Sequence, residues 1–327
     1  MKGLIVHFNS FELWHAPAWI NERLRDDFPE HQFVQLESND RVSREIEDTA
    51  VFVGAFLSLP DFKRAAKLQW IHSPTAAVHQ LMFPELVRSS VRVTNSTGIH
   101  GPVVAEHALA MILALAKRLP QAMRYQVKKK WAQDKVWHER PHPREVAGTT
   151  VAVVGMGGIG NEFTQRAKAL GLRVLAVREN AGKGTNGADE VYTAAQIDDV
   201  LPQADFVLLC APLTPATRGI INAARLRKMK RDAYLINVSR GPLIVEVDLI
   251  DALKNKRIGG AALDVFIQEP LPRGSAFWRL DNVLITPHTA SFTEQLWERH
   301  YQHIVENMKR FLAGQPLLNE VDKQRGY

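Results

Sequence analysis

The chain is 327 residues long, carries a formal net charge of +6 and contains one cysteine. That length leaves room for two domains and a sizeable core. A lone Cys210 excludes an internal disulfide framework, and no apolar run approaches the roughly 20 residues of a membrane span. The charge is modest, of the kind that attracts an anionic substrate or cofactor.

The opening Met1-Lys-Gly-Leu-Ile-Val-His-Phe8 reads as a first strand rather than a signal sequence, so a cytoplasmic location is expected. Apolar runs at residues 4–8, 33–36, 51–56, 69–72 and 91–94 alternate with helical patterns at 19–27, 41–48, 59–66 and 78–88. Such alternation predicts a small parallel-sheet domain. Residues 73–78, Ser-Pro-Thr-Ala-Ala-Val, follow a strand and lead into the last of those helical patterns. Their small side chains would leave N–H groups at Ala76 and Ala77 open to a carboxylate, or else form a plain turn.

An amphipathic helix is predicted over 103–118, with Val104, Ala108, Met111, Ile112 and Leu115 on one face, Pro102 near its start and Pro120 as its stop. Residues 120–149 then read as a polar surface excursion. Their basic stretch, with Lys128-Lys129-Lys130 among Trp131 and Trp137, fits a solvated face better than a nucleic-acid site.

The most informative stretch follows. Val151-Ala-Val-Val-Gly155-Met-Gly157-Gly158-Ile159-Gly160 is a buried-strand pattern running into a glycine turn and a helical pattern. In a dinucleotide site the first glycine makes the turn, the second lets the backbone approach a pyrophosphate, and the third packs helix on strand. The N–H groups of Gly158 and Ile159 then face the phosphates. Further strands at 173–177, 206–210, 233–238, 260–265 and 283–287 complete a six-stranded doubly wound α/β sheet, followed by a helix at 293–312.

Ligands of such sheets lie beyond the carboxyl ends of the strands. The second strand ends at Arg178, with Glu179 next and Lys183 close behind. An arginine there suits the 2′-phosphate of NADP, and Glu179 keeps NAD possible. Cys210 and Pro212 after the third strand, and Val238 after the fourth, are expected to line the cofactor site. Cys210 lacks a nearby activating partner and reads as a structural thiol.

Arg240, Glu269 and His288 each lie just past a strand end. Reduction of a 2-oxo acid needs a fixed cation for the carboxylate and ketone, a proton donor near neutrality, and a carboxylate that orients that donor and favours its protonated form. Those three residues supply the set. No metal site is expected.

The chain resembles the D-isomer-specific 2-hydroxyacid dehydrogenases. The similarity lies in residues 151–160, Leu235-Ile-Asn-Val-Ser-Arg-Gly-Pro-Leu243, Ala262-Leu-Asp-Val-Phe-Ile-Gln-Glu-Pro-Leu271, Thr286-Pro-His-Thr-Ala290 and Val104-Ala-Glu-His-Ala-Leu-Ala110. The resemblance implies a discontinuous substrate domain (1–98 with 290–327), a dinucleotide domain (99–289) and an active site in the cleft between them. It also implies a homodimer through the long helix 103–118. By it Arg240 binds substrate, His288 is the acid–base group, Glu269 its partner, Asp264 a contact of the nicotinamide carboxamide, and Ala76 and Ala77 the carboxylate loop. Ala77 and His79 stand where the family usually has glycine and an acid. Arg178 replaces the acid of NAD-using members, pointing to NADP-using reductases of glyoxylate or hydroxypyruvate. Oxidation of formate or phosphite is a rival within the fold, and a dinucleotide-sensing corepressor a rival of another class.

Overall fold

A computed structural model describes residues 1–327 except Ser10, Ala77, Arg325 and Tyr327, and the side chain of Lys183. The chain forms two compact units, Met1–His100 with Phe292–Tyr327, and Gly101–Ser291.

In the first unit, strands β1 (Lys2–Ile5), β2 (Gln32–Gln35), β3 (Thr49–Val53), β4 (Trp70–His72) and β5 (Arg92–Thr94) form a parallel sheet ordered β2-β1-β3-β4-β5. Strand alternation sends neighbouring side chains to opposite faces. Ile5, Val51, Val53 and Trp70 pack with Ile20, Leu24, Trp297, Ile304 and Met308, under helices Trp19–Asp27 and Leu296–Leu312. Leu4, Phe52, Ile71 and Val93 face the other core, with Val42, Ile46, Leu81 and Leu86.

Predicted helices are shorter here: that over 41–48 is α-helical only at Val42–Glu45, and the largest change is in the last. Helix appears only at Pro84–Arg88, not over 78–88. Proline lacks the N–H that a continuing helix needs and is tolerated in the first turn, so Pro84 sets the start of the helix. Residues 73–76 and 78 therefore do not open a helix, so no helix terminus offers N–H groups there.

In the second unit, β6 (Thr150–Val154), β7 (Arg173–Arg178), β8 (Glu190–Thr193), β9 (Phe206–Leu209), β10 (Tyr234–Asn237), β11 (Gly260–Leu263) and β12 (Val283–Ile285) form a parallel sheet ordered β12-β11-β10-β9-β6-β7-β8. The sheet has seven strands, not six. The added one, β8, is an edge strand of partly exposed residues pairing only with β7, so it needs no apolar run to be stable.

Helix Gly101–Ala116 lies on one face, where Val104, Ala108, Met111, Ile112 and Leu115 share a core with Val151, Val153, Phe163, Phe206 and Ile236. Residues 119–138 lie mostly exposed, as expected, but carry two helices that were not expected. Arg118 takes a left-handed turn (φ +58°), and helices Leu119–Val127 and Gln133–His138 follow. Pro120 sits in the first turn of the new helix, starting it rather than only ending the old one. Among the described residues no helix is long and apolar enough to cross a membrane.

Candidate active site

The strand order reverses between β6 and β9, and the loops after these two strands meet there. Gly155 has φ +109°, and a Cβ on it would lie 2.5 Å from the backbone nitrogen of Ala211. A Cβ on Gly160 would lie 2.1 Å from the Gly155 carbonyl oxygen. Both glycines are therefore demanded by packing. Gly157 differs, since nothing lies within 4 Å of the Cβ position. That opening faces the start of helix Gly158–Ala169, whose N-cap, Gly157, provides no side-chain hydrogen bond. Gly158 and Ile159 thus begin a helix whose positive end favours an anion. The cradle fits a dinucleotide pyrophosphate.

Cys210 is buried beneath this turn, its thiol donating to the Gly155 carbonyl at 3.0 Å. Burial pushes the thiol up to about 12, so it stays protonated and serves packing rather than nucleophilic chemistry. Pro212 is exposed beside it, its carbonyl accepting from Thr217 Oγ1 at 2.7 Å, while Val238 is buried. At the far end of β7, Arg178 donates from Nη1 to the Gly184 carbonyl at 3.1 Å. Asn180 caps the intervening turn by accepting from Gly182 N–H at 2.9 Å.

The loops after β10, β11 and β12 carry the other three groups, and those strands are neighbours in the sheet. Asn237, fully buried at the end of β10, accepts from Ser239 N–H at 3.1 Å and donates to the Arg240 carbonyl at 3.0 Å. Ser239 Oγ donates to the Ala211 carbonyl at 2.5 Å, tying this loop to the one after β9. Arg240 itself is exposed, with Nη1 on the Ser239 carbonyl at 2.7 Å. Gly241 allows the closest approach: a Cβ there would lie 2.0 Å from the backbone carbon of Phe266.

Phe266 leads directly to Glu269 and His288. Its N–H donates to Glu269 Oε1 at 2.8 Å, and the other carboxylate oxygen meets His288 Nδ1 at 2.6 Å. A carboxylate accepts only, so Nδ1 carries the hydrogen and Nε2 is left to exchange a proton elsewhere. Glu246 Oε1 also accepts from Ile267 N–H at 2.8 Å, bracing the loop.

His288 has φ +54°, a conformation that costs a non-glycine residue about 1 kcal/mol or more. Asp264, only 1% exposed, pins the surrounding segment. Its carboxylate accepts from Thr286 Oγ1 at 2.5 Å, Thr289 N–H at 2.8 Å and Ala290 N–H at 3.0 Å. Its backbone carbonyl accepts from His288 N–H at 2.9 Å. The side chain expected at the nicotinamide carboxamide is thus engaged with the His288 loop. Asn237, Ser239 and Thr286 were not singled out by sequence. Their only signal is position, a polar residue at or just beyond the end of a buried strand.

In the other unit, Ala76 is exposed, with its carbonyl accepting from Asn95 Nδ2 at 3.0 Å. Ala77 lies outside the described residues.

Residues 109–290 match the family model described as D-isomer specific 2-hydroxyacid dehydrogenase, NAD binding domain. The chain is 34% identical over 267 residues to a glyoxylate reductase of Korarchaeum cryptofilum, covering 80% of this chain and 79% of that protein. Among solved structures it is similar to a D-isomer specific 2-hydroxyacid dehydrogenase from Xanthobacter autotrophicus Py2 in complex with NADPH and MES (31% identity, TM-score 0.83, 100% of both chains). It is also similar to the NADPH-dependent glyoxylate/hydroxypyruvate reductase from Sinorhizobium meliloti in complex with NADP and sulfate (29% identity, TM-score 0.82, 100% of both chains). With the glycine cradle at the strand reversal, these matches establish that the chain belongs to the D-isomer-specific 2-hydroxyacid dehydrogenase family, NAD(P)-dependent oxidoreductases.

Proposed function

We propose that this chain is an NADPH-dependent reductase of a small 2-oxo acid of the glyoxylate or hydroxypyruvate class, yielding the D-2-hydroxy acid. The observation that carries this reading is the His288–Glu269 contact of 2.6 Å, with the other carboxylate oxygen of Glu269 held by Phe266 N–H. Gly155, Gly157, Gly158, Ile159 and Gly160 would hold the pyrophosphate, and Arg178 the 2′-phosphate. Cys210, Pro212 and Val238 would flank the nicotinamide. The nicotinamide, when bound, supplies the hydride.

The chain's own residues supply the rest. Arg240 pairs with the substrate carboxylate and polarises the ketone. His288 delivers a proton from Nε2 to the nascent alkoxide, and Glu269 orients the ring and stabilises its cationic form. Residues 1–98 with 290–327 are assigned as the substrate domain. Residues 99–289 form the dinucleotide domain. Glyoxylate reductases among the relatives, and neighbours bound to NADP or NADPH, support the substrate class and the cofactor.

A second copy of the chain is the proposed partner. The interface is proposed through the long helix 103–118, as the resemblance implies, and the segment that follows it adds Met123, Val127, Trp131 and Trp137, exposed at 63%, 84%, 94% and 56%. Exposed apolar groups this closely spaced mark an association surface.

The test is a panel of 2-oxo acids assayed with NADPH and with NADH. Turnover with NADPH is expected. Cofactor binding with no turnover on any acid would favour a sensing protein instead. Arg178→Ala is expected to weaken NADPH binding roughly ten- to a hundredfold, the worth of charge-assisted hydrogen bonds, while NADH binding changes little. Equal losses would reject the phosphate role.

A further inference from the structure

A side chain outside the acid–base pair closes on the same loop. His107 projects from helix Gly101–Ala116, and its Nε2 lies 3.1 Å from Thr286 Oγ1 and 3.7 Å from Asp264 Oδ1. Hydrogen counting fixes the direction of this contact. The Asp264 carboxylate accepts only, so the Thr286 hydroxyl spends its single hydrogen on Oδ1 at 2.5 Å. The hydroxyl oxygen can then only accept from His107, so Nε2 carries a hydrogen. Burial holds His107 below the usual histidine range, and the nearby Asp264 opposes that shift only in part. The neutral Nε2–H tautomer follows.

We propose that His107 is a positioning residue for His288. Its Nε2–H fixes the Thr286 hydroxyl on Asp264, and the three groups together hold residues 286–290 so that His288 keeps its left-handed backbone and its aim. Asp264 is the hub, since its carboxylate holds Thr286, Thr289 and Ala290 and its carbonyl holds His288 N–H. His107 supplies the external brace, from a helix packed on the one that opens at the glycine turn. The role rests on reading His288 as the acid–base group.

The experiment compares His107→Leu, His107→Gln and Thr286→Val with the unaltered full chain. Leucine fills the space without a donor, and glutamine returns an N–H at similar reach. Expected is a fall in kcat on the order of tenfold for the leucine and valine variants, with KM for NADPH little changed and glutamine restoring most of the loss. A second readout is independent of turnover. In protein labelled with ¹⁵N-histidine, the His288 ring signals, identified by their loss in His288→Gln, should move in His107→Leu and return in His107→Gln. Those signals still decide the matter if no 2-oxo acid is reduced. Unmoved His288 signals in His107→Leu overturn the proposal, whatever happens to kcat. Glutamine as impaired as leucine also overturns it, leaving His107 a packing residue only.

Discussion

At the glycine turn, residues of one type do two different jobs, and the difference is measurable. Gly160 faces the Gly155 carbonyl, so Gly160→Ala forces backbone apart and is expected to destabilise the second unit by about 1–3 kcal/mol, the usual cost of overpacking. Gly157 has φ −92° and open space at its Cβ position, so Gly157→Ala should leave the melting temperature nearly unchanged. The added methyl would instead occupy the pyrophosphate's space and weaken dinucleotide binding by roughly tenfold or more, about 1.4 kcal/mol. Thermal melts and cofactor titrations of the two variants separate the roles. A Gly157→Ala protein that binds NADPH normally would move the phosphate site elsewhere. The Glu269–His288 contact was legible because both groups lie in the loops that follow neighbouring strands, β11 and β12. The residues that brace it were not, because Asn237 and Thr286 look like any polar residue at a strand end until the loops are folded.

Among the elements, those with strong periodicity were legible and those lying on the surface were not. Helix Trp19–Asp27 and the strands around β6 declare themselves by their apolar spacing. Strand β8 has no such spacing because its burial is partial, and helix Leu119–Val127 was concealed by Pro120 and the basic residues after it. Yet Leu119, Met123 and Val127 recur at helical spacing while remaining half or more exposed, so a stripe exists that the second unit does not itself cover. If a second copy covers it, Met123→Glu combined with Val127→Glu places two charges in the interface and should convert a dimer into a monomer in sedimentation analysis. Both sites are exposed, so the folding of the unit should be unaffected. An unaltered chain that sediments as a monomer at micromolar concentration would remove the basis for the assignment.

For the molecule as a whole, acid should act on one unit first. The first unit buries His72 completely and largely buries His7, His100 and His300, with the His72 ring tilted against His303 at 5.3 Å and His100 edge-on to His300 at 5.6 Å. Burial, reinforced by neighbouring charges, pushes His7 and His100 down to about 4 and His300 to about 3, and His72 well below its ordinary value of 6.5. Each is neutral in the fold but takes up a proton near pH 6.5 when unfolded. Between those values the unfolded chain binds more protons, so stability is full above pH 6.5 and falls as the pH drops toward 4. A shift of this size is worth about 3 kcal/mol per histidine once fully developed, a large part of the stability of any one domain. Tryptophan fluorescence reports this unit almost selectively. Trp70 and Trp297 are buried in it, whereas Trp131, Trp137 and Trp278 of the second unit are already exposed. Denaturant unfolding followed by fluorescence should therefore show a midpoint that falls steadily from pH 7 to pH 5. His300→Gln, although less stable at pH 7, should show a shallower fall. A midpoint that stays level over that range would mean that these rings take up protons as readily folded as unfolded, and the buried neutral cluster would have to be abandoned.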